Sequence, residues 1–253
     1  MKKYVFAVAL SALILSLPTI TVAAPVVFEA SGASPTDIQA AVDGFRAFLG
    51  VLNPNVAGSF ADGRREINWD GVPDAFSAPN NLPANFFNAN SPRGAVFFTP
   101  GTGFQVSADS ANPTDTPVRF GNINPTFPQI FSTFSPERLF TALDSNITET
   151  LFFVPGSHAA ATVDGFGAVF TDVNLADSTK IEYFDVNGNL LFSQNVLRGP
   201  TKRGSLSFLG VGFDAGERVF LVRITSGNRI LKTPARDVVV MDDFIYGEPQ
   251  ALP

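Results

Sequence analysis

The sequence predicts a mainly β protein, an antiparallel, jelly-roll-like β-sandwich with one amphipathic helix near its mature N-terminus. Three observations lead to this fold class. From residue 95 onward, short apolar runs alternate with turn residues, mostly at the spacing of sandwich strands. Helical periodicity stands out in one segment, residues 34–50. The 26 Phe residues supply enough apolar area for a large core.

The first 23 residues have the composition of a secretory signal peptide. Two lysines at positions 2 and 3 precede an apolar run over residues 4–17, and small residues follow at 21–24. The alternative is an N-terminal membrane anchor, but this run is shorter than the roughly 20 apolar residues that a membrane span needs. We therefore expect cleavage before Ala24 or Pro25 and a secreted or periplasmic location in a bacterial host.

The composition argues against several classes of function. Basic residues are few and scattered in a chain of net charge −6, whereas nucleic-acid binding needs clustered Lys and Arg. The lack of Cys excludes disulfides, thiolate catalysis and Cys-ligated zinc. The single histidine, His158, cannot build a multi-histidine zinc site. Charged residues and Pro recur every few positions in the mature chain, so no membrane span is expected after signal cleavage.

The predicted helix begins at Ser34 and ends at Gly50. Ser34 is a good N-cap, Pro35 suits the first helical position, and Asp37 places a carboxylate in the first turn. Its apolar side chains recur at helical spacing at Ile38, Ala41, Val42, Phe45, Phe48 and Leu49. This stripe favours packing against a sheet, with binding of a partner protein as the alternative.

The remaining apolar runs predict strands of a single domain over residues 24–253, with a weak boundary near residue 155 as the alternative. Between two of these runs, Asn187-Gly188 predicts a hairpin with a type I′ turn. The predicted strands are Ala95–Thr99, Gly103–Ala108, Ile130–Phe134, Arg138–Leu143, Ile147–Val154, Gly167–Val173, Lys180–Asp185, Asn189–Gln194, Ser205–Val211, Arg218–Thr225 and Asp237–Ile245.

A long segment from Arg64 to Gly94 interrupts this pattern. It contains the only Trp and many Asn and Pro residues, and loops of this kind often carry function. Its aromatic rings predict a platform on which sugar rings stack, and burial of these rings as loop anchors is the alternative. The expected ligand-binding residues are Trp69, Asp70, Asp74, Phe86, Phe87 and Arg93.

The same segment carries three carboxylates. Glu66 and Asp70, with Asp74 nearby, suggest the acid and base pair of a glycoside hydrolase. Alternatively, Asp70 and Asp74 accept hydrogen bonds from nearby backbone amides in turns. We expect no catalytic residue, and we keep the Glu66–Asp70 pair as the alternative.

Asp242 and Asp243 lie in the last predicted strand. Because successive strand residues point to opposite faces, we expect only one of them, Asp242, to face inward. An inward carboxylate needs a partner, and this pattern suggests a structural calcium ion with Asp164 and Asp172 as further ligands. The alternatives are a salt bridge with Arg223 or Arg236, or a solvated strand end.

Four segments carry a family resemblance: GFGAVFTDVN, IEYFDVNGNLLF, GSLSFLGVGFD and DVVVMDDFIYGEP. Together they resemble the C-terminal β-sandwich of uncharacterised exported bacterial proteins, many of which carry a Pro-Glu-Pro sorting signal. The resemblance covers roughly residues 155–249. The sandwich is similar to galactose-binding-like jelly rolls, which often bind sugars and hold a structural calcium. This sequence shows no apolar helix or basic tail after Pro249, so we expect release rather than anchoring.

These observations predict an exported, non-catalytic β-sandwich that binds glycan or another extracellular polymer. Two alternatives remain open at this point. One is a polysaccharide hydrolase or lyase that uses Glu66 and Asp70. The other is a structural protein of the envelope or matrix.

Overall fold

The computed structural model describes residues 24–232 and 237–252 and shows an antiparallel β-sandwich, as predicted. The expected signal peptide and Arg236 lie outside these residues. In the described ranges, no helix is long and apolar enough to cross a membrane.

The chain forms strands β1 to β14 and helices α1 and α2. Short 3₁₀ helices cover Asp74–Phe76 and Phe127–Gln129. The elements are, in order, β1 Val26–Gly32, α1 Pro35–Leu49, β2 Arg64–Ile67, α2 Phe86–Ala89, β3 Ala95–Phe98, β4 Gly103–Val106, β5 Phe140–Leu143, β6 Ile147–Phe152, β7 Ala161–Thr162, β8 Gly165–Thr171, β9 Lys180–Phe184, β10 Leu190–Asn195, β11 Leu206–Gly212, β12 Leu221–Thr225, β13 Val240–Gly247 and β14 Gln250–Ala251.

Two large antiparallel sheets make the sandwich. The first has the order β1-β11-β8-β13-β5-β4, and β2 pairs with the second half of β13. The second has the order β10-β9-β12-β6-β3, while β7 and β14 form a short separate pair. Strands before and after Pro155 pair with each other in both sheets, as β5 does with β13 and β6 with β12.

The space between the two sheets contains the main aromatic core. Phe140, Phe166 and Phe244 reach into it from the first sheet, and Phe97 and Phe152 from the second. Each buried aromatic ring removes a large apolar area from water, so this core is the chief source of stability.

Helix α1 packs on the opposite face of the first sheet, which confirms its expected packing role. Its apolar stripe, including Ile38, Val42 and Phe45, is buried with Phe208 of β11 and Ile245 of β13. The helix leaves its polar face toward solvent, while Arg46 in its last turn is partly buried beside the apolar stripe and reaches β2 and β13. The seven-stranded sheet is therefore covered on both faces.

The predicted hairpin joins β9 to β10, but its turn is not type I′. Only Gly188 has a positive φ, at 79°, whereas a type I′ turn also needs one at Asn187. The carboxylate of Asp185 accepts hydrogen bonds from the amides of Asn187 and Asn189 at 2.8 Å each. The turn thus contains one residue with left-handed backbone, Gly188, and it is followed by a bulge in β10 between Leu190 and Phe192.

The strand predicted at residues 130–134 is wrong. Residues 127–129 form a 3₁₀ helix, and the apolar residues around it recur at a spacing of three to four rather than two. Phe127, Ile130 and Phe131 pack with Leu231 and Val238 in a separate small core. The following residues 132–138 form an irregular segment that runs toward β13.

Candidate functional site

A β-bulge in β13 shapes the candidate site. Met241 pairs with Phe170 of β8, but Phe244 pairs with Ala168, so β13 has one residue more than its partner over this stretch. Both Met241 and Phe244 consequently point into the core between the sheets.

The two residues inside the bulge are Asp242 and Asp243, and both carboxyl groups turn toward Ser135. Ser135 Oγ lies 3.2 Å from Asp242 Oδ1 and 2.7 Å from Asp243 Oδ1. Both aspartates are buried. The expectation that only one of them faces a given site is therefore wrong, because the bulge abolishes the strict alternation of the strand.

Beside the bulge lies a cleft of about 370 Å³, at the lower end of the size range of ligand sites. Helix α1, the loop before β2, β2 itself, the residues before β3, the 132–138 segment and β13 all contribute to its lining. Its polar lining residues are Gln39, Arg46, Asn55, Glu66, Asn68, Arg93, Ser135 and Asp243.

An ion-pair network occupies one wall of this cleft. The guanidinium of Arg46 donates to Glu66 through Nε at 3.0 Å and Nη2 at 2.8 Å, and the same Nη2 lies 3.7 Å from Asp243 Oδ2. Arg64 Nε adds a second donor to Glu66 at 2.6 Å. Glu66 faces the cleft because its neighbours in β2, Arg65 and Ile67, point inward. Arg46 thus lies between the carboxylates of Glu66 in β2 and Asp243 in β13, two paired strands.

Burial changes the acidity of the two bulge aspartates. Burial raises the pKa of Asp243 to about 6, although Ser135 and Arg46 stabilise its ionised form. Burial, together with the charge of Asp243, raises the pKa of Asp242 well above its ordinary value. Asp243, which borders the cleft, is therefore the more readily ionised of the two.

The predicted aromatic platform is not at the surface. Trp69, Phe86 and Phe87 are each at most 5% exposed. The Trp69 ring stacks on Phe140 at a centroid distance of 4.1 Å, and its Nε1 donates to the Asp242 carbonyl at 2.8 Å. These rings anchor the loop in the core, so the platform prediction is wrong for them.

Asp70 and Asp74 hold the loop rather than face the cleft. Asp70 Oδ1 accepts hydrogen bonds from the amides of Glu137 and Arg138, at 2.6 and 3.0 Å. Asp74 accepts from Arg138 Nη2 at 2.6 Å. Neither residue lines the cleft. The carboxyl groups of Glu66 and Asp70, the alternative catalytic pair, therefore do not face a common cleft.

Arg93, by contrast, lines the cleft as a predicted ligand-binding residue. Its Nε donates to the Glu66 carbonyl at 2.9 Å, and its guanidinium lies over the Phe87 ring, 5.1 Å from the centroid. These two contacts fix the side chain in place. The long segment thus contributes its two ends to the site, Glu66 and Asn68 from one and Arg93 from the other.

The four aspartates expected to bind calcium do not form one ligand set. Asp164 and Asp172 flank opposite ends of β8. Ser135 Oγ already lies within hydrogen-bond distance of both Asp242 and Asp243, and Asp242 also accepts from the Phe134 amide at 2.6 Å. Within the described ranges no cluster of three acidic or histidine residues is placed to hold a metal. These residues therefore do not fit a calcium ion.

Of the two partners in the salt-bridge alternative, Arg236 lies outside the described residues and Arg223 does not contact Asp242 or Asp243. Arg223 pairs with Glu149 at 2.6 Å, on the second sheet. The cation that approaches Asp243 is Arg46, from α1. Sequence reasoning missed Arg46 and Ser135, since nothing in the local pattern shows that a helix end and an irregular segment meet the last strand.

Comparisons with known proteins give no relative for this chain. No family model, no curated protein and no solved structure matches it. The geometry of the cleft is therefore the basis for the functional argument.

Proposed function

We propose that the protein is an exported, non-catalytic β-sandwich that binds a neutral glycan in the cleft beside the β13 bulge. The observation that carries this proposal is the lining of the cleft. Two guanidinium groups, two carboxylates, three amide side chains and a hydroxyl converge on a space of about 370 Å³. Such fixed donors and acceptors suit the many hydroxyl groups of a sugar.

The charges of the cleft support an uncharged ligand. Arg46 and Arg93 are balanced by Glu66 and Asp243, so neither an anion nor a cation finds a strong net attraction. The side chains of Asn55 and Asn68 are exposed, and they form no hydrogen bond with any other described residue. Their amides remain available to a ligand.

The position of Arg46 argues against the hydrolase alternative. A glycosidase needs a gap between its two carboxyl groups for the scissile bond. Here Arg46 bridges the two carboxylates of the cleft, Glu66 and Asp243, through one nitrogen. Glu66 is also held by two arginines, Arg46 and Arg64, so its carboxylate oxygens are not free to contact a substrate or a water.

The export signal in residues 1–23 supports an extracellular or periplasmic glycan as the ligand. The first experiment is a glycan array screened with the mature chain, residues 24–253. Incubation of each bound glycan with the protein, followed by detection of new reducing ends, separates binding from hydrolysis. Release of reducing ends would favour the hydrolase, and an empty array would favour a structural role.

We expect Asn55→Ala and Asn68→Ala each to weaken glycan binding by about 1 kcal/mol, the net value of one hydrogen bond. Neither change should alter the melting temperature, because both side chains are exposed. Isothermal titration calorimetry with the glycan from the array measures the affinity.

Asn81→Ala is the matched control. Asn81 is also exposed, but it lies near Gly103 of β4, at the far edge of the same sheet. Its replacement should leave both affinity and melting temperature unchanged. Equal losses of affinity in all three variants would place the binding surface outside the cleft.

A further inference from the structure

The hydroxyl group of Ser135 lies between two buried carboxyl groups and has only one hydrogen to donate. The shorter contact, 2.7 Å, is with Asp243 Oδ1, and the longer, 3.2 Å, is with Asp242 Oδ1. If Ser135 donates to Asp243, its contact with Asp242 is favourable only when Asp242 carries a proton and donates it to Ser135 Oγ. One proton on the pair therefore makes both contacts favourable at once.

The same groups hold the wall of the cleft. The Phe134 amide donates to Asp242 Oδ2 at 2.6 Å, next to the hydroxyl contacts of Ser135. Both Phe134 and Ser135 line the cleft. Asp242 is 0% exposed and reaches the cleft only through these two residues.

We propose that Asp242 and Asp243 share one proton through Ser135, and that this proton positions the Phe134–Ser135 wall of the binding cleft. Asp242 is thus a positioning residue. Loss of the proton leaves two buried negative carboxylates competing for one hydroxyl donor, so Ser135 loses its contact with Asp242 and this part of the wall shifts, while Phe134 stays bonded. The consequence for ligand affinity rests on the proposed function, whereas the proton itself does not.

The charged groups around the pair place the proton on Asp242. Arg46 faces Asp243 and stabilises its ionised form, while Glu66 opposes this effect. The charged neighbours of Asp242 are Asp243 and Asp70, both of which disfavour a second negative charge. Burial raises the pKa of both groups, to about 6 for Asp243 and further for Asp242.

The sign of the pH dependence follows from these directions. An unfolded chain releases both protons near the ordinary pKa of aspartic acid, but the folded chain retains them to higher pH. Stability is therefore fully present at low pH, falls as the pH rises through about 6, and continues to fall until Asp242 ionises.

NMR of the ligand-free protein tests directly whether the pair retains a proton at neutral pH. Carbon-detected NMR of the aspartate carboxyl groups, with assignment by the variants below, follows each group from about pH 4 to about pH 9. We expect Asp243 to ionise first and Asp242 to remain neutral at neutral pH. The Ser135 amide shift should change when Asp242 ionises, whereas the Phe134 amide should keep its protection, because an ionised carboxylate is the stronger acceptor.

Asp242→Asn and Asp243→Asn form a matched pair of variants. An amide at position 242 mimics the neutral acid, because its oxygen accepts from Phe134 and its NH₂ donates to Ser135. We therefore expect Asp242→Asn to keep the wild-type fold and to remove the high-pH part of the melting-temperature dependence. An amide at position 243 cannot ionise, so Asp243→Asn should remove the fall in melting temperature near pH 6, although it also loses the charge that faces Arg46.

Ionisation of both aspartates at neutral pH would overturn the proposal, and so would a high-pH fall in melting temperature that persists unchanged in Asp242→Asn. If Asp242→Asn does not fold, the wild-type carboxyl titration and the Ser135 amide shift still decide. For binding, the probe is the glycan selected on the array. Its affinity for the wild type should fall about tenfold per pH unit once Asp242 ionises, whereas Asp242→Asn should retain it. An empty array would defeat the proposed function and leave the proton assignment to the ligand-free measurements.

Discussion

Replacement of Glu248 by alanine is expected to lower the free energy of unfolding by about 3–5 kcal/mol, because it strands a charge in the core. Its partner Arg65 is fully buried, and Nε and Nη2 donate to the two Glu248 carboxylate oxygens at 2.6 and 2.7 Å. Asn53 donates to the same carboxylate at 2.9 Å. Urea denaturation of the mature chain measures the loss.

Glu149→Ala is the control for this prediction. Glu149 pairs with Arg223, whose side chain is 42% exposed, so its loss should cost at most about 1 kcal/mol. The double variant Arg65→Met/Glu248→Met should recover most of the lost stability, because it removes both buried charges. A Glu248→Ala loss no larger than that of Glu149→Ala would show that the buried pair does not organise this end of the sheet.

Replacement of Trp69 by alanine is expected to lower the free energy of unfolding by about 3–5 kcal/mol, as for other large core truncations. The ring is 1% exposed and contacts three phenylalanines besides Phe140. Its loss opens a cavity beneath the β13 bulge and frees the Asp242 carbonyl that Nε1 contacts. Thermal and urea unfolding report this effect.

Two variants, Trp69→Phe and Phe98→Ala, are the controls for this prediction. The phenylalanine ring preserves most of the aromatic stack and should lose less than the alanine variant. Phe98 is 49% exposed on β3, so its truncation should have only a small effect on unfolding. If Trp69→Ala unfolds like the wild type but loses glycan affinity, the ring acts at the surface and the packing described above is wrong.

Much of the fold could be predicted because its signals are local. The start of α1 depends on Ser34, Pro35 and Asp37, and the β9–β10 hairpin on one glycine, Gly188. The first two strands, β1 and β2, were both missed, and β2 has the weakly apolar sequence Arg-Arg-Glu-Ile. Pairing with β13 and the burial of Arg65 by Glu248 define it, and both are tertiary effects.

The site was harder to predict than the fold. Its location near the Arg64–Gly94 segment could be inferred, and Glu66 and Arg93 do line the cleft. The roles of the aromatic rings could not be inferred, because the sequence of a polar loop does not show whether its aromatic rings are exposed or buried. The bulge at Asp242 and Asp243 leaves no mark in the alternation of side chains, so its effect on the two carboxylates needed the register with β8.

Amide chemical-shift mapping by NMR tests the central claim most directly. The mature chain is titrated with the glycan selected on the array, at a pH below the ionisation of Asp242. We expect saturable shifts confined to the cleft, at Gln39, Asn68, Arg93 and Ser135, and saturation of those at Gln39, Arg93 and Ser135 at about 30-fold higher glycan concentration in the double variant Asn55→Ala/Asn68→Ala. Shifts centred on the outer face of the five-stranded sheet, around Arg223, would contradict it.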